Sequence, residues 1–180
     1  MKLKIETKNI RNLSNKEIDL MNKIRVREWG SKEARSKKDF PNTIFFFLKD
    51  DGKIMAFGGL RYITINYQGK NYKILGLCSI LSVKKGKGYG KILVKAMIKH
   101  LKKTGKTGLG FCGKKITGFY KKSGLNTKKD LIRRFVYKNP KTGKEVIDNE
   151  GDGLYYEGKD QFMKKVLSTK QIVYINTPHW

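Results

Sequence analysis

The chain has 180 residues, 38% of them apolar and 11% aromatic, which is enough to bury a sizeable core and too many rings for a disordered basic tail. Forty-one Lys and Arg against fifteen Asp and Glu give a formal charge of +26, so an anionic partner is expected. The longest aliphatic-aromatic run, Ile44 to Leu48, is five residues, and Cys78 and Cys112 stand 34 positions apart without a CxxC pair; a helical membrane span, a disulfide framework and a thiolate metal site are excluded.

At the start, lysines alternate with Leu3 and Ile5, which reads as a short strand and lacks the apolar core of an export signal; a cytoplasmic, metal-free protein is expected. Ser14 followed by Glu17 is a capping-box pattern that opens a helix carrying Ile18, Met21 and Ile24. A second short helix is expected after Ser31. Ile44 to Leu48, Asp51-Gly52 and Ile54 to Ile65 read as a hairpin, because Asp-Gly takes the positive φ angles of a type I′ turn at little cost. A turn at Gln68 to Asn71 leads into Tyr72 to Val83 and completes a three-strand antiparallel meander. Next come a glycine-rich segment and a periodic helix to about Lys103, with Leu93, Val94, Met97, Ile98 and Leu101 on one face and Lys91, Lys95 and Lys99 on another. A strand is expected near Leu109 to Cys112, a helix from Lys115 to Lys122, a Gly- and acid-rich loop from Lys138 to Gly153, a helix around Phe162 to Leu167 and a β-rich Ile172 to Ile175. The order is mixed α/β. Too few residues follow the loop to build a second core, so one domain is expected over residues 1–180, with its core to about 137 and an extension from 138.

Every acid lies at or before Asp51 or at or after Asp130. Residues 52–129 hold eighteen lysines and Arg61, a net +19, against +5 before and +2 after. A/T-rich coding explains Lys over Arg but not seven Glu against thirty-four Lys, so a preference for a polyanion, either nucleic acid or a phosphorylated cofactor, is expected. Within this span Gly108, Gly110 and Gly113 spell GxGxxG, but only Thr104 to Thr107 separate them from the preceding helix, and Lys115 stands where a phosphate-binding loop needs Ser or Thr. A glycine-containing strand is the better reading. Lys85-Gly86-Lys87-Gly88-Tyr89-Gly90-Lys91 differs, because it follows a strand and opens the most periodic helix of the chain. Glycines let main-chain N–H groups converge on phosphate oxygens, the helix N-terminus adds partial positive charge, and three lysines supply the rest.

With those residues in place, the chain resembles the GNAT superfamily of N-acetyltransferases, whose loop signature reads Arg or Gln, two residues, Gly, one residue, then Gly or Ala; Lys85 to Gly90 matches with Lys in first position. Phe119-Tyr120-Lys121-Lys122-Ser123-Gly124-Leu125 is similar to the family's FYxxxGF segment. The order of elements agrees from Leu3 to Leu125, and Thr177 to Trp180 resembles, more weakly, the ending of the aminoglycoside 2′-N-acetyltransferase branch. Gly113 departs from the Asn of many relatives, and Gly76 from the acidic residue of that branch. The resemblance implies a mostly antiparallel twisted sheet flanked by helices, with splayed strands four and five and acetyl-CoA between them. On that register the cosubstrate contacts are Cys78, Ile80, Lys85, Gly86, Lys87, Gly88, Tyr89, Gly90 and Lys91, and a β-bulge in the fourth strand is expected.

Direct transfer to an amine needs a proton for the departing thiolate, and the resemblance assigns this to Tyr120. A carboxylate base is harder to find: Glu28, Glu33, Glu157, Asp160 and the terminal carboxylate of Trp180 are the candidates, each also readable as a solvated charge. Glu28, Trp29 and Trp180 are the candidate acceptor contacts. The field suits a neutral or anionic amine, a protein or aminoacyl-tRNA over a polycation, and a homodimer is left open. The rival reading is a non-catalytic basic nucleic-acid-binding protein, supported by the basic composition and by an expected exposed interleaving of Tyr and Lys near Tyr62, Tyr67 and Tyr72.

Overall fold

The computed structural model describes residues 3–148, 150–175 and 177. The chain forms two compact units, one of Met1–Arg61 and Cys78–Met97, the other of Tyr62–Leu77 and Ile98–Trp180.

In the first unit, β1 (Leu3–Asn9) pairs antiparallel with β2 (Thr43–Asp50), which pairs antiparallel with the start of β3 (Lys53–Tyr67). Asp51 and Gly52 both have positive φ, 46° and 78°, as a type I′ turn requires. Helix α1 (Asn15–Trp29) opens as its sequence predicts: the Glu17 amide donates to the Ser14 hydroxyl at 3.2 Å, and Glu17 Oε2 accepts from the Ser14 amide at 2.9 Å. Its apolar face, Met21 and Ile24, packs with Leu13, Phe45, Phe47 and Phe57. Gly30 at φ 100° ends the helix. The short helix expected after Ser31 is two 3-10 turns, Ser31–Glu33 and Lys37–Asp39; the second closes on itself, Asp39 Oδ2 accepting from the Ser36 amide at 2.7 Å, and goes no further.

The tight turn Gln68-Gly69, again with two positive φ angles, joins β3 to β4 (Lys70–Ser82), and α2 (Tyr89–Thr104) follows. The second unit then adds β5 (Gly108–Cys112), α3 (Thr117–Ser123), β6 (Asn126–Lys128), β7 (Phe135–Lys138), β8 (Glu145–Val146), β9 (Asp152–Tyr156), α4 (Phe162–Leu167) and β10 (Val173–Ile175). The large sheet has the strand order β1-β2-β3-β4-β5-β9-β6, and a small one has β10-β7-β8. The region expected as a loop from Lys138 to Gly153 therefore includes β8 and the start of β9, which runs antiparallel to β5 from Gly108↔Tyr156 to Cys112↔Asp152. Ile65, Ile74, Leu109, Phe135, Phe162 and Val166 centre the second unit's core. The first two glycines of the GxGxxG pattern are packing residues on β5, since a Cβ on Gly108 would lie 2.5 Å from Leu101 Cδ1 and one on Gly110 2.9 Å from Leu77 Cβ, while one on Gly113 would meet nothing within 4 Å.

Candidate active site

The parallel ladder between β4 and β5 registers only Leu75↔Gly108 and Gly76↔Leu109. Past it, Ser79 adopts φ 53°, a left-handed conformation that a non-glycine residue takes inside a strand only when its surroundings hold it there. The kink interrupts the alternation of β4 as a bulge does. On either side of it, Gly58 and Gly59 of β3 make room: a Cβ on Gly59 would lie 2.6 Å from Cys78 Sγ, and one on Gly58 3.0 Å from Ile80 Cγ1. Burial pushes the Cys78 thiol up to about 12, against the opposing pull of the Arg61 and Arg25 guanidiniums, so Cys78 is an inert thiol and its main chain is what it offers.

Arg25 holds the kink from α1, and sequence reasoning missed it. It is 5% exposed, its Nη1 donates to the Ser79 hydroxyl, and its Nε donates to the Glu33 carbonyl at 3.0 Å. Its guanidinium carbon lies 5.3 Å from the Trp29 ring centroid and 5.1 Å from that of Phe40. Burial, then the neighbouring Arg35, lower its pKa. Its carboxylate contact, Glu33 Oε2, is 3.9 Å away and is shared with Arg35 at 3.0 Å. Trp29 is 50% exposed and stacks over Arg25 instead of sealing the core.

From Lys84 to Gly88 the chain is exposed, and Gly86 and Gly88 both have φ 77°. Among the described residues the amides of Lys84 through Lys91 donate to no acceptor; the first amide of α2 to do so is Ile92, to the Gly88 carbonyl at 3.2 Å. A Cβ at Gly86 or Gly88 would meet nothing within 4 Å, so the segment is open as well as unsatisfied. Glu28 reaches it from α1, its Oε2 lying 2.5 Å from Lys85 Nζ, while Arg27 Nη2 lies 3.1 Å from Oε1. The Lys85 bond, against partial burial and with help from Arg27, holds the Glu28 carboxyl below the usual range.

In the second unit Tyr120 is 7% exposed on α3, next to Phe119. Burial, with Cys112 adding to it, raises its phenol pKa far above the ordinary value. At the end of β5, Cys112 Sγ is 3.6 Å from Thr117 Oγ1, which donates to Asp152 Oδ2 at 2.7 Å, and Asp152 Oδ1 accepts from the Asp130 amide at 3.0 Å. Two of the carboxylates considered as bases have other duties. Asp160 Oδ1 accepts from the buried Thr107 hydroxyl at 2.6 Å and from the Phe162 amide at 3.0 Å, and Glu157 accepts from the Met163 and Lys164 amides at 3.2 and 2.7 Å. Together they cap α4. The spacing Glu157, Asp160 before an apolar run carried that signal in the sequence. Trp180 lies outside the described residues.

The stacking surface expected near Tyr62, Tyr67 and Tyr72 does not form. Tyr62 is 42% exposed, but Tyr67 and Tyr72 are 3% and 4% exposed, packed on Phe162, with Tyr67 bonded to Thr169 Oγ1 at 2.6 Å and Tyr72 accepting from Lys165 Nζ at 3.0 Å. The described residues include no group of three or more His, Cys, Asp and Glu placed to hold a metal, and no helix long and apolar enough to cross a membrane.

No curated protein sequence matches the chain. The profile of the acetyltransferase (GNAT) family matches residues 14–125, from the N-cap of α1 to just past α3. Among solved structures, an acyl-CoA N-acyltransferase from Pseudomonas aeruginosa is 14% identical with a TM-score of 0.57, over 84% of this chain and 98% of that one. ElaA of Escherichia coli is 10% identical with a TM-score of 0.58, over 87% and 100%. An acetyltransferase from Bacillus subtilis in complex with CoA is 19% identical with a TM-score of 0.56, over 86% and 97%. They share the fold, a large and mostly antiparallel sheet flanked by helices. With more than half its length on the family profile, the chain belongs to the acetyltransferase (GNAT) family and is an acetyl-CoA-dependent acyltransferase.

Proposed function

We propose that the chain acetylates a primary amine by direct attack on acetyl-CoA, with the Lys84–Lys91 segment receiving the pyrophosphate and Tyr120 acting as general acid. One observation carries the reading: a run of unsatisfied amides, open to solvent, at the start of α2. Such a nest fits a diphosphate, because N–H groups and the helix dipole converge on one point with Lys85, Lys87 and Lys91 around them. Acetyl-CoA supplies an acyl group activated as a thioester. The kink at Ser79 turns main-chain groups of Cys78 to Ile80 out of the regular alternation, where they can hold the pantetheine arm and polarise the carbonyl.

Burial raises the Tyr120 pKa, so the phenol is protonated at neutral pH and can hydrogen-bond to the departing thiolate. Full transfer to a thiolate whose thiol has a pKa of about 8.5 is more uphill than from a free phenol, and the reading needs the bound substrates to ease the phenolate. Glu28, Glu33, Glu157 and Asp160 are engaged with Lys85, Arg35 and the α4 amides. With these four engaged, the reading uses no carboxylate base: water takes the amine proton, and the surrounding cations favour the neutral amine.

The test is thermal shift with CoA and acetyl-CoA against tRNA and DNA at several salt concentrations. Binding at one hundred times Kd stabilises by about 2.7 kcal/mol. Stabilisation by CoA supports the transferase; strongly salt-dependent oligonucleotide binding with indifference to CoA points to a nucleic-acid-binding protein without catalysis. Tyr120→Phe keeps CoA binding and slows acetyl transfer about 100-fold; an unchanged rate removes Tyr120 from the reaction.

A further inference from the structure

We infer that the acceptor amine also bears a carboxylate, and that Arg61, backed by Arg25, receives it beside Cys78 and Ser79. The identity of the bound molecule as the acceptor rests on the acetyl-transfer reading above; the anion site itself does not.

The placement follows from register. Gly59 and Arg61 lie two residues apart on β3 and so share a face. Gly59 abuts Cys78 Sγ on that face, and Arg61 leaves the strand about 7 Å further along it, opposite the buried Thr43 of β2. This is the face that α1 covers, since Phe45 and Phe47 of β2 pack with Met21 and Ile24. Arg25 approaches the same stretch of β4 through the Ser79 hydroxyl. Two guanidiniums thus converge on the Cys78–Ser79 kink from different elements, and both act on the Cys78 thiol.

The charges there do not balance. Arg61 is half-buried, yet among the described residues it has neither a hydrogen bond nor an ion pair. Its desolvation lowers its pKa. Arg27 and Arg35, by contrast, pair with Glu28 and Glu33. Arg25 is nine-tenths buried with only the long contact to Glu33, and Asp39 is taken by the Ser36 amide and hydroxyl. Glu33 and Asp39, the acids that act on Arg25, are thus engaged elsewhere, and among the described residues no acid pairs with Arg61. A desolvated arginine without a counter-ion is unfavourable unless a ligand supplies one.

Arg25 already spends its Nε and Nη1 donors on the Glu33 carbonyl and the Ser79 hydroxyl, so the open fork is that of Arg61, and one planar fork matches a carboxylate in geometry. A tetrahedral phosphate would need donors from more than one side, and the site offers one. An amine without an acid would meet two cations and nothing to offset them.

Arginine Nε–Hε NMR of the full chain reads the site directly, with the Arg61 signal assigned by its loss in Arg61→Gln. The probes are glycylglycine, glycylglycinamide and inorganic phosphate at one ionic strength. Glycylglycine is expected to shift the Arg61 signal saturably, at least tenfold more tightly than its amide, and phosphate is expected to do nothing comparable. Equal responses to acid and amide, a dominant response to phosphate, or no response at all overturns the inference. A parallel assay follows CoA thiol release: kcat/KM favours the acid over the amide at least tenfold, and Arg61→Gln removes that preference. CoA binding without an Arg61 response leaves the transferase standing and removes the site. An Arg61 response without CoA stabilisation leaves the site standing and removes the transferase reading.

Discussion

The N-termini of α1 and α2 belong to the same unit and differ in one respect: who satisfies their amides. At α1 the chain does so itself, with the Ser14 hydroxyl and the Glu17 carboxylate, the latter braced by Lys8 Nζ at 2.7 Å. The start of α4 follows the same rule with Asp160 and Glu157. At α2 no described residue steps in, and the acid-free span from 52 to 129 leaves no carboxylate near in sequence. A helix N-terminus carries about half a positive charge and up to four orphan donors. The seven-residue α3 has no capping side chain either, but the α2 end adds a loop in which a Cβ at Gly86 or Gly88 would meet nothing within 4 Å, which is what the proposed diphosphate site needs.

The most severe way to break this contrast is to give α2 its own carboxylate. Gly88→Glu puts one in the nest, and CoA affinity is expected to fall roughly 100-fold or more, the loss of one or two charge-assisted hydrogen bonds. Nothing lies within 4 Å of the new Cβ, but φ 77° strains it, so Gly88→Asn, which tolerates a left-handed backbone, is the control and is expected to bind within about tenfold of wild type. Calorimetric titration with CoA checks both. If Gly88→Glu binds as wild type does, the pyrophosphate does not sit at α2.

The contrast was visible in the sequence because both of its halves are local. Ser14 and Glu17 are three residues apart, and the glycines and lysines of the α2 loop are consecutive, so spacing alone carries the chemistry. The same holds for Asp51-Gly52 and its hairpin. What the sequence hid was non-local. β6 and β7 are three and four residues long, too short for alternation to register, and β9 is a strand because β5 pairs with it. Tyr67 and Tyr72 looked exposed because their cover, Phe162 on α4, lies some ninety residues away. Nothing in the spacing of α1 singles out Arg25, and only the kink at Ser79, fifty-four residues on, shows what it meets. The open glycine loop before α2 was therefore legible, and the burial of Arg25 at the kink was not.

Smaller effects sharpen the comparison from its self-sufficient side. Asp160→Ala removes the acceptor of the buried Thr107 hydroxyl and of the Phe162 amide, and is expected to destabilise by about 2–3 kcal/mol in urea unfolding. Ser14→Ala removes a cap and is expected to destabilise by about 1 kcal/mol. Neither is expected to change CoA affinity; a drop in affinity from either would show that the three helix ends are coupled. Acid acts on α1 as well. Burial pushes the Glu17 carboxyl up, but Lys8 and the two Ser14 donors together hold it below its ordinary value. Its contribution is therefore present above the unfolded carboxylate pKa, about 4.3, and is lost as pH falls through the lowered folded value. Urea midpoints taken between pH 6 and pH 3 should fall less steeply in Glu17→Gln than in wild type.

The smallest expected effect tests Glu28, the acid that among the described residues pairs with the α2 loop. Glu28 engages Lys85 through its side chain and leaves the amides alone, so it neutralises a cation of the nest without filling it. Lys85 is 77% exposed, and an exposed pair of this kind is worth at most about 1 kcal/mol. Glu28→Gln frees the ammonium for an incoming phosphate and removes a negative charge from the approach. CoA binding is expected to tighten by less than about fivefold at low salt, and the gain to fade as salt screens the loop. The opposite result, weaker binding in Glu28→Gln at every salt concentration, would mean that the pair fixes Lys85 where the diphosphate needs it. The α2 end would then resemble α1 more than its bare amides suggest, with an acid of the chain arranging the site though not occupying it.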